Sequence, residues 1–399
     1  MKSIRDIYKI GKGPSSSHTM GPAKAMSIYV SEHPEAESFR VVLFGSLADT
    51  GRGHGTDKAI SSATEKAVEI VFDTEHRDLP HENTMDIYSL VGGKAQDKMR
   101  VMSVGGGDIV IEGREGEGTI HVYSESSFAE ISDYCKGKDI RLSDYVFEKE
   151  GESIREFLYT VWATMKNAIN EGLTTSGILP GGLEVERKAQ YLYTRHQTDE
   201  SPVTRENRIV CAYAYAVSEQ NADNGTIVTA PTCGACAVLP SVLRYTQENQ
   251  DFSDEQIIRA LAVAGLIGTL TKTNASISGA ECGCQAEIGT ACSMAAAALG
   301  ELYEMSIDQI EYAAEIAFEH HLGLTCDPIC GLVQIPCIER NAVAAMRAIN
   351  AVNLAGFLSG SRKISLDLVI KTMYETGKDL SHHYRKTATG GLAKLYKVD

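Results

Sequence analysis

Ten cysteines occur in this 399-residue chain, and eight of them fall between Cys233 and Cys337. Three short segments carry five of these eight: Ser276-Ile-Ser-Gly-Ala-Glu-Cys282-Gly-Cys284-Gln, Gly323-Leu-Thr-Cys326-Asp-Pro-Ile-Cys330, and Gly331-Leu-Val-Gln-Ile-Pro-Cys337-Ile-Glu-Arg. Clustering of this kind suits a thiolate-bound metal, with the remaining cysteines acting as small core residues. Iron–sulfur clusters are held by cysteine thiolates, and a catalytic cluster held by three leaves one iron open as a Lewis acid. Zinc also accepts thiolates, but paired C-x2-C spacing, the mark of a structural zinc site, is absent. Cys282 and Cys284 are two residues apart and diverge on either a strand or a helix, so they do not both reach one centre. Cys326 and Cys337 stand beside helix-breaking Gly and Pro, which places their thiols near helix ends. The single C-x-x-C, Cys233-Gly-Ala-Cys236, lacks a thioredoxin-like context and reads as structural.

Two N-terminal loops supply a second kind of chemistry. Lys12-Gly-Pro-Ser-Ser-Ser-His-Thr-Met-Gly-Pro22 leads into a helix near Gly21, with Pro22 suited to a first helical position. Its hydroxyls and backbone N–H groups can hold a carboxylate, and His18 adds a group that titrates near neutral pH. The bland alternative is a serine-capped turn with a solvent-facing His18. Thr50-Gly-Arg-Gly-His-Gly-Thr-Asp57 lacks the G-x-G-x-x-G spacing of a dinucleotide loop. Glycines on both sides of His54 are expected to leave its imidazole accessible.

These loops must be positioned by a small mixed domain. Phe39–Gly45 reads as a strand, Thr56–Phe72 as a helix, and Lys98–Val104 with Asp108–Glu112 as a hairpin around Gly105-Gly106-Gly107. Thr119–Tyr123 is a further strand candidate. From about Gly151 an Ala-rich helical periodicity takes over. It predicts helices over Ser153–Glu171, Thr204–Gln220, Cys236–Asn249, Asp254–Thr273, Ala286–Tyr303, Ser306–His320, Pro336–Leu358 and Ser365–Thr376, with Asp254 and Ser306 as N-caps. The expected class is α+β: a small N-terminal α/β domain over 1–150, then a larger all-helical domain over 151–399 that carries the metal.

A formal charge of −15 opposes binding to nucleic acid or an anionic membrane surface. The N-terminus lacks an apolar signal region, and no stretch is long and apolar enough to span a bilayer. Unpaired cysteines then suit the cytoplasm.

The motifs GPSSSHTMGP, FGSLADTGRGHGTDKA, TAPTCGACAVLPS, NASISGAECGCQAEIGTACSMAAAAL and GLTCDPICGLVQIPCIERN together resemble the iron–sulfur L-serine dehydratases. The resemblance runs from Ile7 to about Arg362 and covers β-type and α-type domains fused in one chain. It implies an oxygen-sensitive lyase that converts L-serine to pyruvate and ammonia with a 4Fe–4S cluster. The implied cluster ligands are Cys284, Cys326 and Cys337, with Cys282, Cys330, Cys233 and Cys236 left as spares. The implied base is His54, with His18 as the second candidate. Ser15, Ser16 and Ser17 would hold the carboxylate, with Thr232 and Asn274 nearby. A homodimer is implied as well. The chain shows no cysteine after Cys337 and no regulatory ACT segment. Three rivals stand beside this reading: an L-cysteine desulfidase, a non-enzymatic zinc or redox-sensing protein, and a pyridoxal-phosphate dehydratase. The last needs a Schiff-base lysine followed by a glycine-rich phosphate loop, and no convincing pair is present.

Overall fold

The computed structural model describes residues 1–76, 78–114, 121–195, 199–358, 360, 362–385 and 390–396. Seven strands lie among them: β1 (Ile10–Lys12), β2 (Ser38–Phe44), β3 (Ala67–Asp73), β4 (Thr84–Val91), β5 (Lys94–Gly105), β6 (Asp108–Ile111) and β7 (Thr226–Val228). Five of these form one sheet in the order β3-β2-β4-β5-β6. Only β2 and β3 run parallel. Alternating Phe39, Val41 and Leu43 on β2 bury one sheet face against Ala25, Met26 and Tyr29 of the Gly21–Glu32 helix, giving this lobe its own core.

The expected helix over Thr56–Phe72 is corrected. Only Thr56–Ser61 is helical, and β3 begins at Ala67. Ala63, Ala67 and Ile70 fit a helical stripe, but Val68, Ile70 and Phe72 also alternate, and that period of two wins because it lets β3 pair in parallel with β2. The hairpin forms as expected around the glycines. Thr119 and Ile120 lie outside the described residues, and His121–Tyr123 form no strand.

The larger part of the chain is helical, and all eight expected helices are present with ends shifted by a few residues. The helix Thr290–Leu302 is buried along its whole length, as an Ala-rich sequence that is apolar on every face requires. Helices Asp254–Asn274, Ile307–Glu319 and Cys337–Phe357 surround it. Ser306 caps its helix with a capping box to Gln309, whereas the cap of the Asp254–Asn274 helix is Ser253, paired with Gln256. Two helices not foreseen, Phe128–Lys138 and Leu142–Glu150, bury Phe128, Ile131, Leu142 and Tyr145 in this helical core. Met1, Ile4, Ile7 and Tyr8 join the same core, with the Tyr8 hydroxyl donating to the Leu261 carbonyl at 2.7 Å.

This last feature positions the site. The chain starts inside the helical part, pairs β1 with β7 in the register Ile10↔Val228, and only then enters the sheet lobe. The serine loop that follows β1 is thereby fixed beside the segment that follows β7. No described helix is long and apolar enough to cross a membrane.

Candidate active site

Both site segments enter their helices through a π turn. Ser16–Met20 precedes Gly21–Glu32, and Gln285–Gly289 precedes Thr290–Leu302. Such turns redirect side chains that a regular helix would point elsewhere, and they concentrate at functional sites.

In the first turn, the Ser15 hydroxyl accepts from the His18 backbone N–H at 3.1 Å. The Ser17 hydroxyl lies 2.9 Å from His18 Nδ1, and the Ser46 hydroxyl lies 3.0 Å from His18 Nε2. Ser15, Ser16 and Ser17 are all buried, and so is His18, so the solvent-facing turn considered from sequence is not what forms. His54 is also buried, at 1 % exposure, rather than accessible between its glycines. The loop closes because the Thr19 hydroxyl donates to the His54 carbonyl at 2.9 Å. The His18 and His54 rings then stand 4.5 Å apart. His54 Nδ1 meets the Thr50 carbonyl at 2.9 Å. A carbonyl only accepts, so Nδ1 carries the hydrogen and Nε2 holds the lone pair of the neutral ring.

In the second segment, Cys284 Sγ, a Glu287 carboxylate oxygen and Cys326 Sγ all lie within 4.8 Å of one another. Cys284 is held below the ordinary thiol value by the hydrogen bond from Cys326 and by the Arg340 guanidinium, against the effect of burial. Cys326, the donor of that bond, is pushed up by it and by burial. Cys337 opens the Cys337–Phe357 helix, close enough for its charge to act on Cys326 and Arg340. Arg340 is anchored by donating to the Thr325 carbonyl at 2.7 Å. This donor set fits a thiolate-ligated metal group: two thiols, a carboxylate, a third thiol in the same field and a nearby cation.

Glu287 was missed from sequence. It follows Cys284 by three residues, and that helical spacing was the available signal. Its Oε1 accepts from the Thr232 hydroxyl at 2.7 Å, which ties the β7 segment to the cysteines. Glycines leave room for it. A Cβ on Gly279 would fall 2.3 Å from Glu287 Oε2 and 3.1 Å from Cys326 Sγ.

The remaining expected residues separate. Cys282 packs against Gly377, and burial pushes its thiol up to about 12. Cys233 reaches Met20 Sδ at 3.4 Å, and Cys236 is buried. Cys330 is exposed, and its carbonyl would lie 3.3 Å from a Cβ on Gly53. It helps line a cavity of about 320 Å³ that also takes in Pro14, His54 and Gln334, so the histidine loop and the cysteine loops share a wall. Asn274 is not brought to either cluster. It is exposed, and its amide donates to the Ser126 carbonyl at 2.7 Å and the Leu270 carbonyl at 3.1 Å.

A sheet lobe that carries the His18–serine loop, joined to a helical body whose Cys284, Glu287 and Cys326 could hold a metal ion, defines a two-part protein with a candidate metal site in its helical part. Comparison with known proteins gives the family. Residues 57–393 match the family model for the serine dehydratase alpha chain, and residues 3–65 match the serine dehydratase beta chain. The L-serine dehydratase of Haemophilus influenzae is 41 % identical over 98 % of this chain and 99 % of its own. L-serine dehydratase 1 of Escherichia coli is 41 % identical over the full length of both chains, and the Streptomyces coelicolor protein is 40 % identical over 98 % of each. The chain belongs to the serine dehydratase family, in a form that fuses the beta and alpha parts.

Proposed function

We propose that this protein is an L-serine dehydratase that eliminates water from L-serine and releases pyruvate and ammonia, with a 4Fe–4S cluster held by Cys284, Cys326 and Cys337. The observation that carries the reading is the Cys284–Glu287–Cys326 group, its thiols buried and its carboxylate half-buried, with Cys337 beside it, in a chain that also buries a His18–His54 pair. When bound there, a cluster with one iron free of thiolate supplies Lewis-acid assistance to the departing hydroxyl. Everything else falls to the chain. Ser15, Ser16 and Ser17 bind the substrate carboxylate through hydroxyls and the N–H groups of the turn. His54 Nε2 takes the Cα proton. His18, set between the Ser17 and Ser46 hydroxyls, returns a proton so that the hydroxyl leaves as water. The aminoacrylate product tautomerises and is hydrolysed without further help. Thr232 acts by holding Glu287, and Asn274 is assigned no contact with substrate.

Iron and sulfide analysis of anaerobically prepared protein, alongside a pyruvate assay, tests the reading. Cys284→Ala, Cys326→Ala and Cys337→Ala are expected to lose iron and turnover, whereas Cys282→Ala keeps both. Iron-free protein that still releases pyruvate overturns it. Zinc in place of iron would favour the second reading, because two thiols with a carboxylate also suit that ion. Turnover of L-cysteine above that of L-serine would make the protein a desulfidase. We further propose a cytoplasmic homodimer that binds neither nucleic acid nor membrane.

A further inference from the structure

We propose that Asp108 is a positioning residue. It clamps Lys9 and Lys272, so that the Gly105–Gly107 turn is held as a wedge between the serine loop and the Ser276–Gly279 segment in the geometry that binds substrate. The proposal rests on the reading that the serine loop takes the carboxylate.

The turn at the tip of the β5–β6 hairpin has three consecutive residues with positive φ, of 99°, 59° and 79°, which is why all three are glycine. Added Cβ atoms show what the tip touches. At Gly105 a Cβ would lie 3.2 Å from the Ser278 side chain, and at Gly106 it would lie 3.0 Å from Ile277 Cδ1. At Gly107 it would lie 3.8 Å from the Ser16 carbonyl oxygen. One turn therefore touches both halves of the site. Asp108, the next residue, forms ion pairs with Lys9 and Lys272, whose side chains are only 19 % and 21 % exposed.

Each lysine belongs to a segment that carries site residues. Lys9 stands six residues before Ser15 and is fixed by its backbone N–H, which donates at 2.9 Å to the hydroxyl of Thr229, three residues before Thr232. Lys272 lies in the last turn of the Asp254–Asn274 helix, four residues before Ser276, and also donates to the Asp6 carbonyl at 3.3 Å. The clamp thus joins three segments far apart in sequence.

Burial lowers Lys9 to about 8, partly offset by Asp108 and Asp6 and deepened by Lys272, which are the charged groups facing it. The Lys9 half of the clamp is therefore intact below that pH and dissolves above it.

The test uses anaerobically prepared full-length protein with its metal. In Asp108→Asn, the KM for L-serine is expected to rise roughly tenfold or more, with kcat within about threefold and iron content unchanged, because loss of positioning weakens binding more than chemistry. Hydrogen–deuterium exchange is expected to quicken in residues 13–20 and 105–108 together. Lys9→Met gives a second path to the same KM rise should Asp108→Asn fold poorly, and Lys9→Arg restores KM. The wild-type KM climbs above pH 8, and in Lys9→Arg that climb disappears. A lower melting temperature with KM unchanged makes Asp108 a mere brace and overturns the proposal. Coupled quickening of exchange in a protein that makes no pyruvate would uphold the clamp and refute the functional reading instead.

Discussion

At the scale of single residues, the chain hides its chemistry by burial. Thiol types and histidine loops were visible in the sequence because Cys, His and Gly recur at unusual density. Which thiols converge was not, because that depends on side-chain direction. Cys282 and Cys284 differ by two positions, yet one packs on Gly377 and the other meets Cys326. Glu287 was invisible for a different reason: a glutamate in a helix is ordinarily solvated, and only the tertiary approach of Thr232 and Cys326 gives it a role. Gly279 offers the sharpest test of that role. Its replacement by Ala would put a methyl group where Glu287 Oε2 now sits. The carboxylate must swing away from the thiols, and loss of such a supporting contact typically weakens metal binding by about 10–100-fold. Gly279→Ala is therefore expected to fold with native circular dichroism but to contain several-fold less iron after anaerobic gel filtration. Full iron loading would show that Glu287 plays no part in holding the metal.

At the scale of elements, helices read well and the one misread segment had two competing periods. Long Ala-rich stretches such as Thr290–Leu302 have no alternative as strands. Ala67–Asp73 does, and its partner β2 decides the matter. The helices at 128–150 were missed because each is short and half polar, and their stability comes from packing into the core rather than from pattern. Helix-to-helix contact also explains particular glycines. Gly172 lies where the Ser153–Thr174 helix crosses Pro202–Ala222, and a Cβ there would meet the Ala216 carbonyl oxygen at 2.3 Å and its carbon at 2.6 Å. Backbone cannot yield as a side chain can. Overpacking of this kind costs about 1–3 kcal/mol. It outweighs the gain in helix propensity of about 1 kcal/mol from Gly to Ala. Gly137 makes the control, because it is exposed in the Phe128–Lys138 helix and a Cβ there meets nothing within 4 Å. Urea unfolding should find Gly172→Ala less stable and Gly137→Ala more stable than wild type. The same sign for both would mean that propensity, not contact, governs these positions.

At the scale of the whole molecule, buried titratable groups set opposing slopes of stability with pH. Glu315, on the Ile307–Glu319 helix, is pushed up to about 8 by burial, then by the charge of Glu319 and a hydrogen bond to it, with Arg362 opposing. Glu219, buried at the N-terminus of the Ala189–Thr194 helix, is raised to about 7 by burial, with the N–H groups of Lys188 and Ala189 offsetting only part. Both carboxyls keep a proton in the folded state that the unfolded chain releases near 4.5. Their contribution is thus complete below about 4.5 and is lost as pH rises through 7 and 8. His321 acts in the other direction. Burial lowers it to about 4, so the folded state excludes a proton that the unfolded chain binds near 6.5, and stability is lost as pH falls through that window. The two windows overlap between about pH 4.5 and 6.5, where the effects oppose each other, and above about 6.5 the carboxyls act alone, so stability falls on toward pH 8. Gln replaces the protonated form of Glu315 in shape and neutrality and cannot ionise. Glu315→Gln should therefore melt higher than wild type at pH 8 and close to it at pH 5, when scanned anaerobically with the metal in place. An equal fall in melting temperature from pH 6 to pH 8 in both proteins would show that Glu315 is already ionised in the folded state and that the alkaline slope arises elsewhere.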